Sequence, residues 1–251
     1  MALDLSRLGL MVGEEALARL AQSRILVCGL GGVGSWAAEA LCRSGVGTLG
    51  LADFDEVHAS NLNRQLPALH STLGRPKTAV ITARLRDINP DVSLAEFPAR
   101  LTPENISALL DERPWSGVLD AVDDRAAKLA LLKECRSRGI PVVTSLGAAN
   151  LTDPTQLEIT TLEKTSGSPL ARILRKTLRR ENVPLDFPCV ASRELPLLCQ
   201  AEAESPGERR PMGSLVTVTA TAGLLCAHAL LAPLLGLDKR PRRGTTQSVE
   251  K

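Results

Sequence analysis

Residues Arg24-Ile25-Leu26-Val27-Cys28-Gly29-Leu30-Gly31-Gly32-Val33-Gly34-Ser35-Trp36-Ala37-Ala38-Glu39-Ala40-Leu41 decide the fold. Arg24 to Cys28 reads as a buried strand, and the glycines of 29–34 read as a loop that opens a helix over Ser35 to Ser44. Such a loop lets backbone approach phosphates closely, and the helix behind it offers free N–H groups and the positive end of its dipole. Proteins that bind NAD, FAD or ATP share this arrangement, so it points to a nucleotide without choosing one.

Working outward, Gly45-Val46-Gly47 ends the helix and Leu49 to Ala52 reads as a second buried strand. Upstream, Gly13 to Ala21 predicts a short helix. Downstream, Val80, Ile81, Leu85 and Ile88 with charges between them predict an amphipathic helix from Lys77 to Asn89, stopped at Asn89-Pro90. Further strands are predicted at Val92 to Phe97, Gly117 to Val122, Ile140 to Ser145 and Gln156 to Thr161, and helices at Asn105 to Asp111, Arg125 to Arg138 and Pro169 to Arg180. Alternating strands and helices predict a Rossmann-like, doubly wound α/β fold, with a mainly parallel sheet covered on both faces. Its nucleotide-binding half spans about 1–147, and a substrate-facing half, 148–238, adds strands and a basic helix. Residues 185–211, rich in Pro, Glu and Ser, predict a long loop over the site, and 239–251 a disordered basic tail.

The chain has 251 residues and 44% hydrophobic content, enough for a substantial core. Aromatic content is only 2%, with no Tyr, so Leu, Val, Ile and Ala must build that core. A net charge of +2 names no partner by itself. Six cysteines include no C-x-x-C pair, which argues against a structural zinc. No secretory signal is read at the N-terminus, which makes a cytoplasmic location with reduced thiols the expectation. Leu215 to Leu237 is long and apolar enough to span a bilayer, but Thr217, Thr219, Thr221, His228 and Pro233 lie in it and Gly223 interrupts it. It reads as a buried core or interface helix, with peripheral membrane contact as the alternative.

The stretch after the second strand narrows the nucleotide. Asp53 stands at the strand's end, where an acid can hold ribose hydroxyls, and Asp55 can support the same sugar or orient Arg64. In Asn61-Leu62-Asn63-Arg64-Gln65, the guanidinium can bind phosphate oxygens in bidentate fashion and the amides can assist it. Lys77 opens a helix, an electrostatically unfavourable place for a cation, so a compensating anion is expected. Asp123 ends the strand Gly117 to Val122, where open parallel sheets place their ligands, and a carboxylate beside a triphosphate suggests Mg²⁺. Two acids followed by Arg and Lys suit ATP cleavage better than hydride transfer.

Gly29-x-Gly31-Gly32-x-Gly34, Asp53, Asn61-x-Asn63-Arg64-Gln65, Gly74-x-Pro76-Lys77 and Asp123 together resemble the adenylating fold of the ubiquitin-activating-enzyme-like superfamily. The resemblance implies ATP-dependent activation of a carboxylate as an acyl-adenylate. It implies that Asp53 holds ribose, Asp123 holds Mg²⁺, and Arg64 and Lys77 hold phosphates. It also implies a homodimer in which Arg7 reaches into the partner's site, although Asp4-Leu5 stands where the superfamily usually has Arg followed by an aromatic residue.

A narrower resemblance covers nearly the whole chain. Gly13-Glu14-Glu15-Ala16-Leu17, Gly32 to Leu41, Asp153-Pro154-Thr155, Lys164-Thr165, Pro169-Leu170-Ala171 and Ser192-x-Glu194-x-Pro196 resemble the tRNA threonylcarbamoyladenosine dehydratase family. This implies ligase-type adenylation of a threonyl carboxylate on tRNA, ring closure from within the same side chain, and release of AMP and pyrophosphate.

Independent support for tRNA comes from a basic run. Lys164, Arg172, Arg175, Lys176, Arg179 and Arg180 carry six positive charges with no acid between them, and Arg172, Arg175, Lys176 and Arg179 share a helical face. That pattern suits a phosphate backbone. The scarcity of aromatics leaves recognition to backbone and shape rather than base stacking. Cys189 and Cys199 read as structural thiols, with no His or Lys beside them in sequence to activate them. Three other functions remain open at this point: activation of a sulfur-carrier protein with a Gly-Gly end, with sulfur-transfer partners; an NAD(P)-dependent oxidoreductase, in which Arg64 and Lys77 would have no role; and a non-catalytic tRNA-binding protein.

Overall fold

A computed structural model describes residues 2–198 and 212–237. Its strands are β1 (Arg24–Cys28), β2 (Thr48–Ala52), β3 (Ser93–Phe97), β4 (Gly117–Asp120), β5 (Val142–Ser145), β6 (Leu157–Thr161) and β7 (Pro188–Ser192). Its helices are α1 (Ser6–Gln22), α2 (Gly34–Arg43), α3 (Lys77–Ile88), α4 (Ile106–Asp111), α5 (Arg125–Ser137), α6 (Pro169–Arg180) and α7 (Val216–Leu235). The strands form one sheet in the order β3-β2-β1-β4-β5-β7-β6. Every pairing is parallel except that of the edge strand β6 with β7. The doubly wound, mainly parallel fold expected from the sequence is the one observed.

Alternation along the strands builds two cores. In β1, Ile25 and Val27 face a layer containing α1, α2 and α7, while Leu26 and Cys28 face a layer containing α4, α5 and α6. Local chemistry sets the helix starts. The Asp124 carboxylate accepts from the N–H groups of Ala126 and Ala127 at 2.9 and 3.0 Å, and Ser168 Oγ accepts from Ala171 N–H ahead of Pro169.

Helix α7 is the apolar run read as a core or interface helix. It lies along α2 and α1 and crosses β4 to β7. Val218, Ala222, Cys226 and Leu230 are buried, whereas Leu224 and His228 face outward. Its approach to α2 depends on Gly223, where a Cβ would lie 2.3 Å from the Val33 carbonyl oxygen.

Three expectations need correction. The first helix begins at Ser6 rather than Gly13, and Gly13 (φ 74°, ψ 164°) is a kink inside it. Residues 185–211 are not all loop, because Pro188–Ser192 forms β7 between β5 and β6. Residues 199–211, with Cys199, and the tail at 239–251 lie outside the described residues. The strand predicted to reach Val122 ends at Asp120, whose carboxylate turns back to accept from Val122 N–H at 3.1 Å.

Asp120 is fully buried, and so is its partner Lys128 from α5. Lys128 Nζ donates to Asp120 Oδ2 at 2.7 Å, to Thr144 Oγ1 at 3.1 Å and to the Ser145 carbonyl at 3.0 Å. Thr144 Oγ1 donates to the same carboxylate at 2.7 Å. Removing one member leaves an uncompensated buried charge, so Lys128→Met is expected to lower stability by about 3–5 kcal/mol. The double variant Lys128→Met/Asp120→Leu is expected to recover much of that loss, and urea denaturation measures both. A loss below about 1 kcal/mol in the single variant would contradict the ion-pair assignment.

Candidate nucleotide and acceptor site

Strand order reverses at β1, so the loops after β1 and β4 lead to helices on opposite faces and open a crevice at the strands' carboxyl ends. A cavity of about 650 Å³ occupies it. Of the residues expected around ATP, Gly29, Gly31, Gly32, Asp53, Asp55, Arg64, Gln65, Lys77 and Asp123 line this cavity. Gly34, Asn61 and Asn63 are not part of that lining. Gly34 instead closes the loop on itself, since a Cβ there would lie 1.8 Å from the Gly29 carbonyl oxygen.

The acidic pair divides its work. Asp53 Oδ2 accepts from Leu30 N–H at 2.6 Å and Oδ1 from Asp55 N–H at 2.8 Å, which fixes the carboxylate under the glycine loop. Burial raises its pKa above the usual aspartate value, opposed by the Lys77 charge and the two backbone donors. Asp55 Oδ2 accepts from Lys77 Nζ at 2.9 Å, and Lys77 is only 4% exposed. The anion expected to compensate Lys77 is therefore Asp55, which orients Lys77 and not Arg64.

Arg64 is held by its own loop. Its guanidinium donates to the Ser60 carbonyl at 2.7 Å and to Asn63 Oδ1 at 2.9 Å, and its carbonyl accepts from Trp36 Nε1 at 3.2 Å. Asn61 is buried and accepts from His58 N–H at 3.1 Å, so both asparagines shape the loop that carries the arginine. Gln65 Oε1 is buried and has no hydrogen-bond partner among the described residues. An orphaned acceptor of this kind is unfavourable by about 1–3 kcal/mol, and a nucleotide hydroxyl or amine would satisfy it. Asp123 is exposed at the cavity wall. Arg100 was missed in the sequence: its guanidinium lies 3.9 Å over the Phe54 ring, and both line the cavity.

The cavity continues past β5 and β7 to Ser145, Asn150, Ser192 and Glu194. Glu194 accepts from Thr152 N–H, Thr152 Oγ and Asp153 N–H, joining the end of β7 to the turn at 152–153. Leu170 and Ile173 of α6 line this end too. On the outer side of that helix, Arg172, Lys176, Arg179 and Arg180 are exposed, as is Lys164 just before it. Arg175 departs from the expected stripe, because its guanidinium turns inward to the Leu162 carbonyl and to both oxygens of Thr165. Arg7 is exposed on α1 and does not line the cavity of its own chain. Cys189 is buried, and burial pushes its thiol up to about 12, as expected of a structural thiol.

Residues 5–249 match the ThiF family. The chain belongs to that family. It is 39% identical over 239 residues to the tRNA threonylcarbamoyladenosine dehydratase of Bacillus subtilis, covering 92% of this chain and 94% of that protein. It is 38% identical over 240 residues to the enzyme of the same name from Escherichia coli, covering 88% and 89%. The crystal structure of the Escherichia coli enzyme in complex with ATP superposes with a TM-score of 0.84 at 36% identity, over 95% of this chain and 96% of that one. The dehydratase resemblance read from the sequence is borne out.

Asp53 carries a raised pKa. A proton on this carboxyl removes the charge that a ribose hydroxyl would meet, and burial lets that proton bind at a higher pH than usual. ATP affinity is expected to fall on acidification while ordinary surface aspartates are still ionised. Asp53→Asn is expected to weaken ATP by about tenfold or more at neutral pH and to abolish this acid limb. Equilibrium ATP binding across pH checks it; an unchanged acid limb in Asp53→Asn would assign the titration elsewhere.

Proposed function

We propose that this chain uses ATP to dehydrate threonylcarbamoyladenosine in tRNA. The observation that carries the reading is the single cavity that joins a phosphate-and-ribose wall to a second polar lobe beneath a basic helix. Near-full-length similarity to two enzymes of that name supports it.

In this reading Asp53 holds the ribose, while the loop at Gly31 and Gly32, with Arg64 and Lys77, holds the phosphates. An oxygen of the threonyl carboxylate attacks the α-phosphorus, and pyrophosphate leaves with the electrons of the broken P–O bond. A nucleophilic atom of the same threonylcarbamoyl group then attacks the activated carbonyl carbon. The C–O bond to AMP breaks, and the displaced proton passes to solvent. The product is a ring lacking the elements of one water, with AMP and pyrophosphate formed. No external nucleophile is needed, so the protein's main task is to stabilise charge as each phosphate leaves.

Among the described residues, no three or more of His, Cys, Asp and Glu are gathered for a metal. A carboxylate at the cavity wall fits Mg²⁺, which keeps water and phosphate ligands rather than an all-protein cage, and Asp123 would hold it. When bound, the ion supplies positive charge to the departing pyrophosphate. Exposed Arg7, outside its own cavity, suits the homodimer reading in which it completes the partner's site. A tRNA substrate agrees with a cytoplasmic location. Activation of a sulfur carrier is the lesser reading, since the six cysteines include no C-x-x-C pair for a zinc site.

Incubation with ATP, Mg²⁺ and threonylcarbamoyl-modified tRNA is expected to yield AMP and a nucleoside lighter by one water. Arg64→Ala and Asp123→Ala are each expected to slow AMP formation by about 100-fold or more. An unchanged nucleoside mass at saturating ATP would defeat the proposal. For tRNA contact, the combined Arg172→Ala/Lys176→Ala/Arg179→Ala variant is expected to bind more weakly. It should also flatten the slope of log affinity against log salt by about 2–3 units. An unaltered slope would return those residues to an ordinary solvated face.

A further inference from the structure

Asn150 does something that neither the glycine loop nor the basic helix explains. Its φ is 59°, a left-handed conformation that only Asn182 shares among the described non-glycine residues. In that conformation one residue docks two distant segments. Its carbonyl accepts from Leu197 N–H at 2.8 Å, its N–H donates to the Gly213 carbonyl at 2.8 Å, and its Oδ1 accepts from Gly213 N–H at 2.6 Å. The next residue, Ser214, has its carbonyl taken by Asn63 Nδ2 at 3.0 Å, and Asn63 Oδ1 in turn accepts from the Arg64 guanidinium at 2.9 Å.

These bonds run in series from the loop after β5, through 213–214, to the arginine at the opposite wall. Asn150, Ser214 and Arg64 all line the cavity, and Met212 borders it beside them. The two amides span 63 and 151 residues of sequence, so this is a tertiary strap and not local turn chemistry. A side chain in reacting geometry must be held to a fraction of an ångström, and such supporting bonds do that for the groups that touch substrate.

We propose that Asn150 and Asn63 are positioning residues that hold the 212–214 rim, against which the acceptor group seats, at a fixed separation from Arg64. The assignment of the rim to the acceptor rests on the function proposed above; the strap itself does not. Asn150→Gly keeps the left-handed backbone and removes the side-chain acceptor, Asn150→Asp keeps an acceptor oxygen, and Asn63→Ala cuts the second link.

The test uses the full chain in two arms. In steady-state assays with ATP and modified tRNA, Asn150→Gly and Asn63→Ala are each expected to raise KM for the tRNA by about tenfold, the size of one lost hydrogen bond. ATP affinity in Asn150→Gly should stay within about twofold. Because the links act in series, the double variant should be no worse than the worse single variant. In hydrogen exchange without substrate, the Gly213 amide should exchange at least about tenfold faster in Asn150→Gly, faster also in Asn63→Ala, and at the wild-type rate in Asn150→Asp. Additive KM effects, or unchanged exchange at Gly213 in Asn150→Gly, would overturn the strap. A wild-type chain that forms no AMP with modified tRNA would overturn the functional reading instead, and the exchange arm would then decide the strap alone.

Discussion

A fully buried ammonium set against a fully buried carboxylate fixes the floor of the cavity. Pairing Lys128 with Asp120 does not make the fold more stable than an apolar pair of similar shape would, because both charges lose their hydration. What the pair contributes is geometry. Lys128 reaches the ends of β4 and β5 at once, through Asp120, Thr144 and the Ser145 carbonyl. The other Asp120 oxygen holds Val122 N–H, and the next residue is Asp123. The exposed carboxylate at the cavity wall and the start of the second lobe are thus hung from one buried centre. The same centre surrounds itself with quiet thiols. Burial, reinforced by the Asp120 charge, pushes Cys28 well up and Cys135 to about 12, so neither forms a thiolate near neutral pH.

The polar groups above that floor fall into two sets. Asp55, Asn61, Asn63 and Glu194 spend their hydrogen bonds on protein, and each fixes the placement of a neighbour. Gln65 Oε1 and exposed Asp123 keep capacity for a ligand. Groups already fixed by hydrogen bonds to protein need little further ordering when a ligand binds.

Much of the fold was legible because period-two and period-3.6 patterns are strong in this chain. Helix α6 was placed at its observed limits from a proline start and a clean apolar stripe. β7 was missed because Pro188 and its Pro- and Glu-rich surroundings resemble loop, and a strand paired on both sides needs no alternation. Lys128 looked like one more charge on an amphipathic helix. Yet Leu131, Leu132 and Cys135 follow it at three, four and seven residues, which places the lysine on the inward stripe. Arg175 carried the same signal, with buried Ala171, Leu174 and Leu178 around it. The site was legible as a set of residue types and less so as a set of contacts. Sequence spacing brought Asp53, Arg64, Lys77 and Asp123 to one cavity, but it could not say that Asp55 would take Lys77 or that the asparagines would serve Arg64.

The near absence of aromatic residues has an optical consequence. With no Tyr and only two Trp, intrinsic ultraviolet emission comes almost wholly from Trp36 and Trp115. Trp115 is buried edge-on to Phe97 in the core, 6.4 Å between ring centroids, and does not line the cavity. Trp36 donates its indole N–H to the carbonyl of Arg64. The chain therefore carries a built-in reporter on the Arg64 loop and an internal reference in the core. Replacing Trp115 with Phe would leave emission that follows the Arg64 loop alone, with no added label.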